Sequence, residues 1–90
     1  MGGEPLCKEN IEEIDNIITS VRAAYPHIKI FVWTGYTFEK LKSEDNEIIN
    51  HILSQIDMLI DGPFIEAEKD ITLKLRGSKN QRILYHGVDF

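Results

Sequence analysis

Apolar residues recur along the first third of the chain with the spacing of an amphipathic helix. They follow one another at steps of three, four, three and four, and they are Ile11, Ile14, Ile18, Val21 and Tyr25. This spacing places them in one stripe along a helix. Asn10 is placed to cap the helix, with Glu13 as its partner in a capping box, and Pro26 ends it. We therefore predict a helix whose apolar stripe needs a sheet or another helix to cover it.

The stretch from Lys29 to Tyr36 has a different pattern. Its apolar and β-branched residues are unbroken from Ile30 to Thr34 and are followed by Gly35 and Tyr36. This is typical of a strand that is buried on both faces and ends in a functional loop. We predict a central strand with Trp33 buried. We also predict a ligand-binding turn after it, because α/β folds place ligands at the carboxyl ends of their parallel strands.

The chain then repeats the pattern of an apolar strand followed by a turn, after two predicted helices. Thr37 can cap a short helix over residues 38–41, and Ser43 or Asp45 can cap a longer helix that reaches about Ser54. The run from Asp57 to Phe64 is again a short apolar segment, closed by Gly-Pro. Strand, turn, helix, strand and turn in this order predict a βαβ unit with a right-handed crossover and a parallel pair of strands.

The last third of the chain is predicted to hold two further strands joined by a polar loop. The apolar residues Ile71, Leu73 and Leu75 alternate with polar ones, which is typical of a strand with one face in water, antiparallel or at an edge. Residues 76–82 form the polar loop, and Ile83 to Tyr85 a final short strand. The whole pattern predicts a single α/β domain over residues 1–90.

Composition narrows the classes of function. The formal net charge of −5 and the absence of a basic stripe argue against binding to nucleic acid or to an anionic membrane. Cys7 is the single cysteine, so an internal disulfide is impossible and nothing indicates an oxidising compartment. The sequence shows no leader pattern and no apolar run near about 18 residues. We therefore expect a soluble, cytoplasmic protein with no membrane partner.

The first residues form a candidate binding turn. Gly2 and Gly3 followed by Glu4 and Pro5 cannot continue a helix or a regular strand, and they leave backbone groups accessible to a ligand. An ordinary tight turn explains the same residues. In that case Glu4 is a solvated acid near the chain end.

Other polar residues give weaker signals. Asp61 and Glu39 could form a carboxylate pair for acid–base catalysis, but we interpret Asp61 as a turn residue. The histidines lack the short spacings that metal sites favour; they are His27, His51 and His86. Arg76 and Arg82 could bind an anion, although a polar surface loop is the commoner meaning of such a segment. The residues therefore predict no metal site and no assigned catalytic residue.

Four segments taken together resemble a known family. They are Gly2-Gly3-Glu4-Pro5-Leu6, Trp33-Thr34-Gly35-Tyr36, Asp61-Gly62-Pro63-Phe64 and Arg76-Gly77-Ser78-Lys79-Asn80-Gln81-Arg82. Their order and approximate spacing resemble those of anaerobic ribonucleoside-triphosphate reductase activating proteins, which are radical S-adenosylmethionine enzymes. The resemblance covers nearly the whole chain. The first segment recurs across radical S-adenosylmethionine enzymes, whereas the Thr-Gly-Tyr and Arg-Gly-Ser-x-Asn-Gln-Arg segments narrow the match to the activating proteins.

The resemblance implies a fold, a cofactor and a partner. The fold would be part of a radical-SAM-type (β/α) barrel, with a mostly parallel sheet and helices on its outer face. The family cleaves S-adenosylmethionine and generates a glycyl radical on the reductase, which would be the partner. The ammonium of S-adenosylmethionine would be held by Gly2, Gly3, Glu4 and Pro5. Its adenosine side would be lined by Thr34, Gly35 and Tyr36, which could equally form a simple strand-to-helix connection.

The chain departs from the family in its cysteines. Family members hold a [4Fe-4S] cluster on three closely spaced cysteines before Gly-Gly-Glu-Pro, whereas Cys7 follows that motif. This implies the C-terminal part of an activating protein, without cluster ligands and inactive by itself. The alternative is a non-catalytic fragment that binds itself, a partner or a nucleoside. Absent upstream strands would leave an open sheet edge, so we expect a homo-oligomer.

Overall fold

The computed structural model describes residues 4–90, which form three α-helices and a three-stranded sheet. The helices are α1 (Ile11–Ala24), α2 (Phe38–Glu44) and α3 (Glu47–Gln55), and the strands are β1 (Phe31–Trp33), β2 (Met58–Asp61) and β3 (Arg82–Tyr85). A 3-10 turn spans Glu66–Glu68. Two of the predicted site residues, Gly2 and Gly3, lie outside the described residues. None of the described helices is long and apolar enough to cross a membrane.

The sheet has the order β1-β2-β3 and mixed strand directions. β1 pairs parallel with β2, with Val32 aligned to Leu59. β2 pairs antiparallel with β3, with Leu59 aligned to Leu84. The parallel pair and the short last strand are confirmed. The prediction that β1 is the central strand is wrong for the described sheet, in which β2 is central and β1 lies at an edge. The barrel stays a prediction, because three strands do not close on themselves.

The core lies between the helices and one face of the sheet. Its buried apolar side chains are Leu6, Ile11, Ile18, Val32, Leu41, Ile49, Ile52, Leu53, Ile56 and Leu59. α1 packs against α3, and the predicted stripe of α1 reaches the core through Ile11 and Ile18. Burial of these side chains is the main favourable contribution to folding, at about 1.5–3 kcal/mol for each large one.

The helix caps agree only in part with those predicted from the sequence. The Thr37 hydroxyl caps α2 as predicted. Asn46 caps α3, although the pattern predicted Ser43 or Asp45. Asn10 precedes α1, but its side chain forms no cap. Its side-chain amide donates instead to the Glu4 backbone carbonyl at 2.9 Å. This bond stabilises the segment that precedes the helix.

The predicted strand over residues 71–75 is wrong. This segment consists of turns and bends. The Asp70 carboxylate accepts hydrogen bonds from the Thr72 backbone N–H and hydroxyl, at 2.9 and 2.6 Å, which is a local turn that competes with extended structure. Leu75 has φ of 64° and interrupts the strand geometry.

The predicted burial of Trp33 is also wrong. Its side chain is 46% exposed, whereas that of neighbouring Val32 is buried. Successive side chains of a strand point to opposite faces, so Trp33 lies on the sheet face that the helices leave uncovered. Its indole Nε1 donates to the Leu75 carbonyl at 2.5 Å. This bond ties the end of β1 to the loop of residues 62–81.

Arg22 and Asp57 join α1 to the amino ends of both parallel strands. The Arg22 guanidinium donates to Asp57 Oδ2 at 3.0 Å and to the Gln55 carbonyl at 2.5 Å. Asp57 Oδ2 also accepts from the Ile30 backbone N–H at 2.8 Å. Burial acts to raise the pKa of Asp57, but the hydrogen bonds from Ile30 and Arg22 outweigh it and leave the pKa below its usual value.

Replacing Asp57 with Asn should lower the free energy of unfolding by about 1–3 kcal/mol, because two donors lose a charged acceptor. The lowered pKa of Asp57 means that its contribution is fully present above its unfolded-state pKa of about 4. That contribution is lost as the pH falls through the folded-state pKa. Urea titrations at several pH values measure both effects.

The control for this experiment is Glu12→Gln, which removes an exposed acid from the first turn of α1. It should change stability little. A difference between wild type and Asp57→Asn that stays constant from neutral to strongly acidic pH would contradict the role of the Asp57 carboxylate.

Candidate functional site

The carboxyl ends of β1 and β2 bring two turns together. The turn after β1 contains residues 34–36, and the turn after β2 begins at Gly62. The Thr34 N–H donates to the Ile60 carbonyl, and the Gly62 N–H donates to the Tyr36 carbonyl, both at 2.9 Å. The parallel pairing therefore fixes the two turns against each other at one edge of the sheet.

The Glu4 carboxylate binds the first of these turns. Its Oε2 accepts from the Thr34 hydroxyl at 2.7 Å and from the Leu6 N–H at 3.0 Å, and its Oε1 accepts from the Gly35 N–H at 2.5 Å. Hydrogen bonds to a carboxylate are stronger than those between neutral groups. Glu4 is thus a half-buried, fixed acid, not the solvated one that an ordinary turn would leave.

Gly35 provides the space that this contact needs. A Cβ atom at this position would lie 3.2 Å from Glu4 Oε1, which is tight for a carbon beside an oxygen that already accepts the Gly35 N–H. A side chain here would require the Glu4 carboxylate to shift by a few tenths of an ångström. The glycine therefore favours the close approach of Glu4.

A shallow cleft of about 360 Å³ opens beside Glu4. Its walls are formed by Glu4, Pro5, Trp33, Thr34, Gly35, Gly62, Phe64 and Gln81. Trp33 and Phe64 present aromatic surface that is 46% and 51% exposed. A carboxylate and aromatic side chains that line one cleft attract cations, and aromatic faces also stack on nucleobases. The cleft is therefore suited to a cationic or nucleoside-like ligand.

The predicted site residues separate into two groups. Glu4, Pro5, Thr34 and Gly35 lie at the cleft. Tyr36 lines a different cavity of about 300 Å³, where Lys40 Nζ lies 4.5 Å from the centre of its ring. The cleft-lining role of Trp33, Phe64 and Gln81 was missed, although all three belong to segments that carry the family resemblance.

The segment of residues 76–82 supports the second turn. Gln81 Oε1 accepts from the Gly77 and Ser78 N–H groups at 2.8 and 3.1 Å. Gln81 Nε2 donates to the Gly62 carbonyl at 3.0 Å. The polar side chains of this loop thus satisfy backbone groups of the loop itself and of the turn after β2. This agrees with its interpretation as a polar loop.

Arg82 joins two carboxylates beneath the second turn. Its guanidinium donates to the fully buried Asp61 through Nε at 2.9 Å and through Nη2, and to the exposed Glu39 through Nη2 at 2.7 Å. Asp61 Oδ2 also accepts from the Phe38 N–H at 2.8 Å. Hydrogen bonding to Asp61, and then to Glu39, raises the pKa of Arg82, and the bond from Arg82 lowers the pKa of Glu39.

In this network Asp61 and Glu39 share one arginine, and Asp61 also fixes the start of α2. Arg82 is therefore engaged within the fold. Asp61 was interpreted as a turn residue, but it is the buried last residue of β2.

Replacing Arg82 with Met should destabilise the fold by about 3 kcal/mol, because it leaves the buried Asp61 without its charged partner. Glu39→Gln is the matched control, since it removes only the exposed acid of the same network, and it should have little effect. Thermal and denaturant unfolding measure both variants. Equal stability losses in the two variants would show that burial of Asp61 is not what makes Arg82 important.

Comparison with known proteins decides the family. Residues 1–84 match a family described as a 4Fe-4S single cluster domain. The chain belongs to this family. The resemblance to activating proteins is also confirmed, since the chain is similar to several proteins named anaerobic ribonucleoside-triphosphate reductase-activating protein.

Three such relatives illustrate the extent of the similarity. The chain is 43% identical over 84 residues to the protein of Enterobacteria phage T4, 35% over 85 residues to that of Escherichia coli K12 and 39% over 89 residues to that of Pasteurella multocida. These alignments cover 91%, 94% and 99% of this chain, and 48%, 52% and 54% of the relatives. The chain thus spans about half the length of the curated relatives it matches. No solved structure matches it.

The cluster in the family's description does not fit the residues of this chain. An iron–sulfur cluster is held by several cysteine thiolates, whereas Cys7 is the single cysteine in the sequence. Within residues 4–90, no group of three or more His, Cys, Asp or Glu side chains is placed to hold a metal ion. These 90 residues therefore do not contain a complete set of cysteine ligands for a cluster.

Proposed function

We propose that this chain is part of an activating protein for an anaerobic ribonucleoside-triphosphate reductase, and that it forms one wall of an S-adenosylmethionine site. Its similarity to proteins of that name over 91–99% of its length supports this role. The structural observation that carries the proposal is the Glu4 carboxylate, held by Thr34 and Gly35 at the edge of an open cleft.

The chemistry of the cleft suits this ligand. S-adenosylmethionine has a positive sulfonium, an ammonium group and an adenine ring. Glu4 attracts the positive groups, and the exposed faces of Trp33 and Phe64 bind the sulfonium or stack on the adenine. Thr34 and Gly35 keep Glu4 in place, so that little conformational freedom is lost when the ligand binds. When bound and reduced by one electron, S-adenosylmethionine would split into methionine and a 5'-deoxyadenosyl radical, which would take a hydrogen atom from a glycine of the reductase.

The chain orients this ligand but does not supply the electron for its cleavage. Reductive cleavage needs an electron donor, and the single thiol of Cys7 does not provide a cluster site. We propose that cleavage belongs to the whole activating protein, a radical S-adenosylmethionine enzyme with the reductase as its partner. There the sheet of this chain forms part of a (β/α) barrel.

A second, non-catalytic function is favoured by the single cysteine of the sequence, because one thiolate cannot hold the cluster that cleavage would need. The chain by itself binds a nucleoside without catalysis, through the aromatic walls of the cleft alone. The two functions differ in the role of Glu4. Recognition of S-adenosylmethionine uses its charge, whereas recognition of a neutral nucleoside does not.

Trp33 provides a direct assay, because it is the single tryptophan of the sequence and lines the cleft. S-adenosylmethionine should change its fluorescence in a saturable way. Glu4→Gln should weaken binding about tenfold or more, since an interaction with a charged group is worth about 1.5–3 kcal/mol. Gly35→Ala should weaken binding less than Glu4→Gln, because its Cβ requires only a small shift of the Glu4 carboxylate. Glu12→Gln is the matched acid control and should bind like the wild type.

Three outcomes separate the hypotheses. Weaker binding of S-adenosylhomocysteine, whose sulfur is neutral, would support recognition of the sulfonium by Glu4. Equal binding of adenosine and S-adenosylmethionine, unaffected by Glu4→Gln, would support the non-catalytic function and contradict the cofactor site. Absence of any saturable change would contradict both, once calorimetry has shown that no heat of binding is present either.

Anaerobic reconstitution of the isolated chain with iron and sulfide should give no stoichiometric cluster, because one cysteine cannot replace several thiolate ligands. Iron and sulfide assays with EPR spectroscopy measure this, and Cys7→Ser should give the same background. A stoichiometric cluster together with release of 5'-deoxyadenosine would show that the chain is active on its own.

A further inference from the structure

A long loop joins β2 to β3. It contains residues 62–81, and its one helical element is the 3-10 turn Glu66–Glu68. Connections of this length are uncommon in small domains and usually have a function. The hydrogen bonds of Gln81 hold the base of this loop, but they do not account for its outer part.

The outer part consists of residues 69–79 and is closed at its base; we call it the outer loop. Its ends are joined by an antiparallel bridge between Lys69 and Ser78. Just inside this bridge, the Asp70 N–H donates to the Gly77 carbonyl at 3.1 Å. Closed ends limit the conformations of the residues between them. The outer loop therefore has a defined shape before any partner binds, which lowers the entropic cost of binding.

The outer loop contacts both aromatic walls of the cleft. The Leu75 carbonyl accepts from the Trp33 indole Nε1 at 2.5 Å. A Cβ atom on Gly77 would lie 2.9 Å from the Phe64 ring, so Phe64 packs directly on the loop backbone. Leu75 has φ of 64°, a strained conformation for a non-glycine residue that is typical of functional sites. A protein that binds the outer loop is therefore brought to the mouth of the cleft.

The outer loop is basic, whereas the rest of the chain is acidic. Its charged residues are Lys69, Asp70, Lys74, Arg76 and Lys79, with a formal net charge of +3. Since the whole chain has a net charge of −5, the other residues carry −8. Among the described residues, Lys74 and Lys79 form no ion pair. A negatively charged partner is therefore attracted to this loop and repelled by the remaining surface, which orients it.

Apolar side chains lie among these charges. Ile71 is 90% exposed and Leu75 is 39% exposed. An apolar centre with a polar rim is the usual composition of a protein–protein interface. A nucleic acid would offer Ile71 little apolar surface, and its extended row of phosphates would also meet the acidic remainder of the chain. A protein with a local acidic patch meets neither difficulty.

We propose that the outer loop binds the reductase, through an acidic patch of the reductase that surrounds an apolar pocket for Ile71. This inference rests on the proposed function, because a radical formed at the cleft has to reach a glycine of that partner. Lys74 and Lys79 attract and orient the acidic patch. The contacts of the outer loop with Trp33 and Phe64 set the position of the bound reductase relative to the cleft.

Binding of the chain to the reductase of the same organism, measured by biolayer interferometry, tests the proposal. The double variant Lys74→Glu, Lys79→Glu should weaken this binding about tenfold or more, because it reverses two attractive charges. Added salt should weaken binding of the wild type more than that of the double variant, because it screens this attraction. The matched control is Lys8→Glu, Lys42→Glu, which makes the same charge change at two exposed residues outside the loop. It should bind like the wild type.

Ile71→Ser tests the apolar centre of the surface. It should weaken binding of the reductase about tenfold, because burial of a large apolar side chain is lost from the complex. Val88→Ser is its matched control, since Val88 is 82% exposed outside the outer loop, and it should bind like the wild type. Both variants should keep the circular dichroism spectrum of the folded chain.

Trp33 fluorescence separates this proposal from the cofactor site. The loop variants should bind S-adenosylmethionine like the wild type, because Ile71, Lys74 and Lys79 do not line the cleft. Loop-dependent binding of the reductase without binding of S-adenosylmethionine would support the docking surface and contradict only the cofactor site.

Three results would overturn the proposal. The first is a wild type that does not bind the reductase, even if it binds S-adenosylmethionine. The second is binding of the reductase that neither loop variant weakens, which would assign the outer loop to another occupant, such as a further segment of the activating protein. The third is tighter binding of the wild type to a single-stranded oligonucleotide than to the reductase.

Discussion

Parallel pairing of β1 with β2 is the constraint on which the candidate site depends. Two parallel strands end at the same edge of the sheet, so the turns that follow them must meet there. The bond between the Gly62 N–H and the Tyr36 carbonyl fixes the two turns together. At the opposite end, Arg22 and Asp57 fasten the same two strands to α1. Hydrogen bonds thus fix the strand pair that carries the site at both of its ends.

The Glu4 carboxylate makes the carboxyl end of this strand pair the candidate binding site. It places a fixed negative charge next to the aromatic side chains of Trp33 and Phe64. Two other polar residues stabilise the strands and their turns. Gln81 donates to the turn after β2, and Arg82 neutralises the buried Asp61. Arg82 and Asp61 thus stabilise the fold, whereas Glu4 lines the cleft.

The sequence predicted the elements whose causes are local or follow from the order of elements. The apolar stripe of α1 and the Thr37 cap follow from spacing over a few residues, and the parallel pair follows from the strand–helix–strand order. The errors have two causes, which are local turns that compete with extended structure and contacts between distant residues. Residues 71–75 alternate like a strand, but local turns replace strand pairing there. Trp33 ends an apolar run, yet it faces the side of the sheet that the helices leave uncovered. The contact of Glu4 with Thr34 spans 30 residues, and no local pattern predicts it. The family resemblance assigned both residues to one binding site but predicted no contact between them.

The most direct measurement of the central claim is NMR hydrogen exchange at the Gly35 amide, whose proton is held by Glu4. The account predicts a downfield-shifted, slowly exchanging Gly35 proton in the wild type. It also predicts loss of that protection in Glu4→Ala, while amides of the β1–β2 pairing remain protected. A Gly35 amide that exchanges as fast as one in an exposed loop, and that does not respond to replacement of Glu4, would contradict a site organised by this carboxylate.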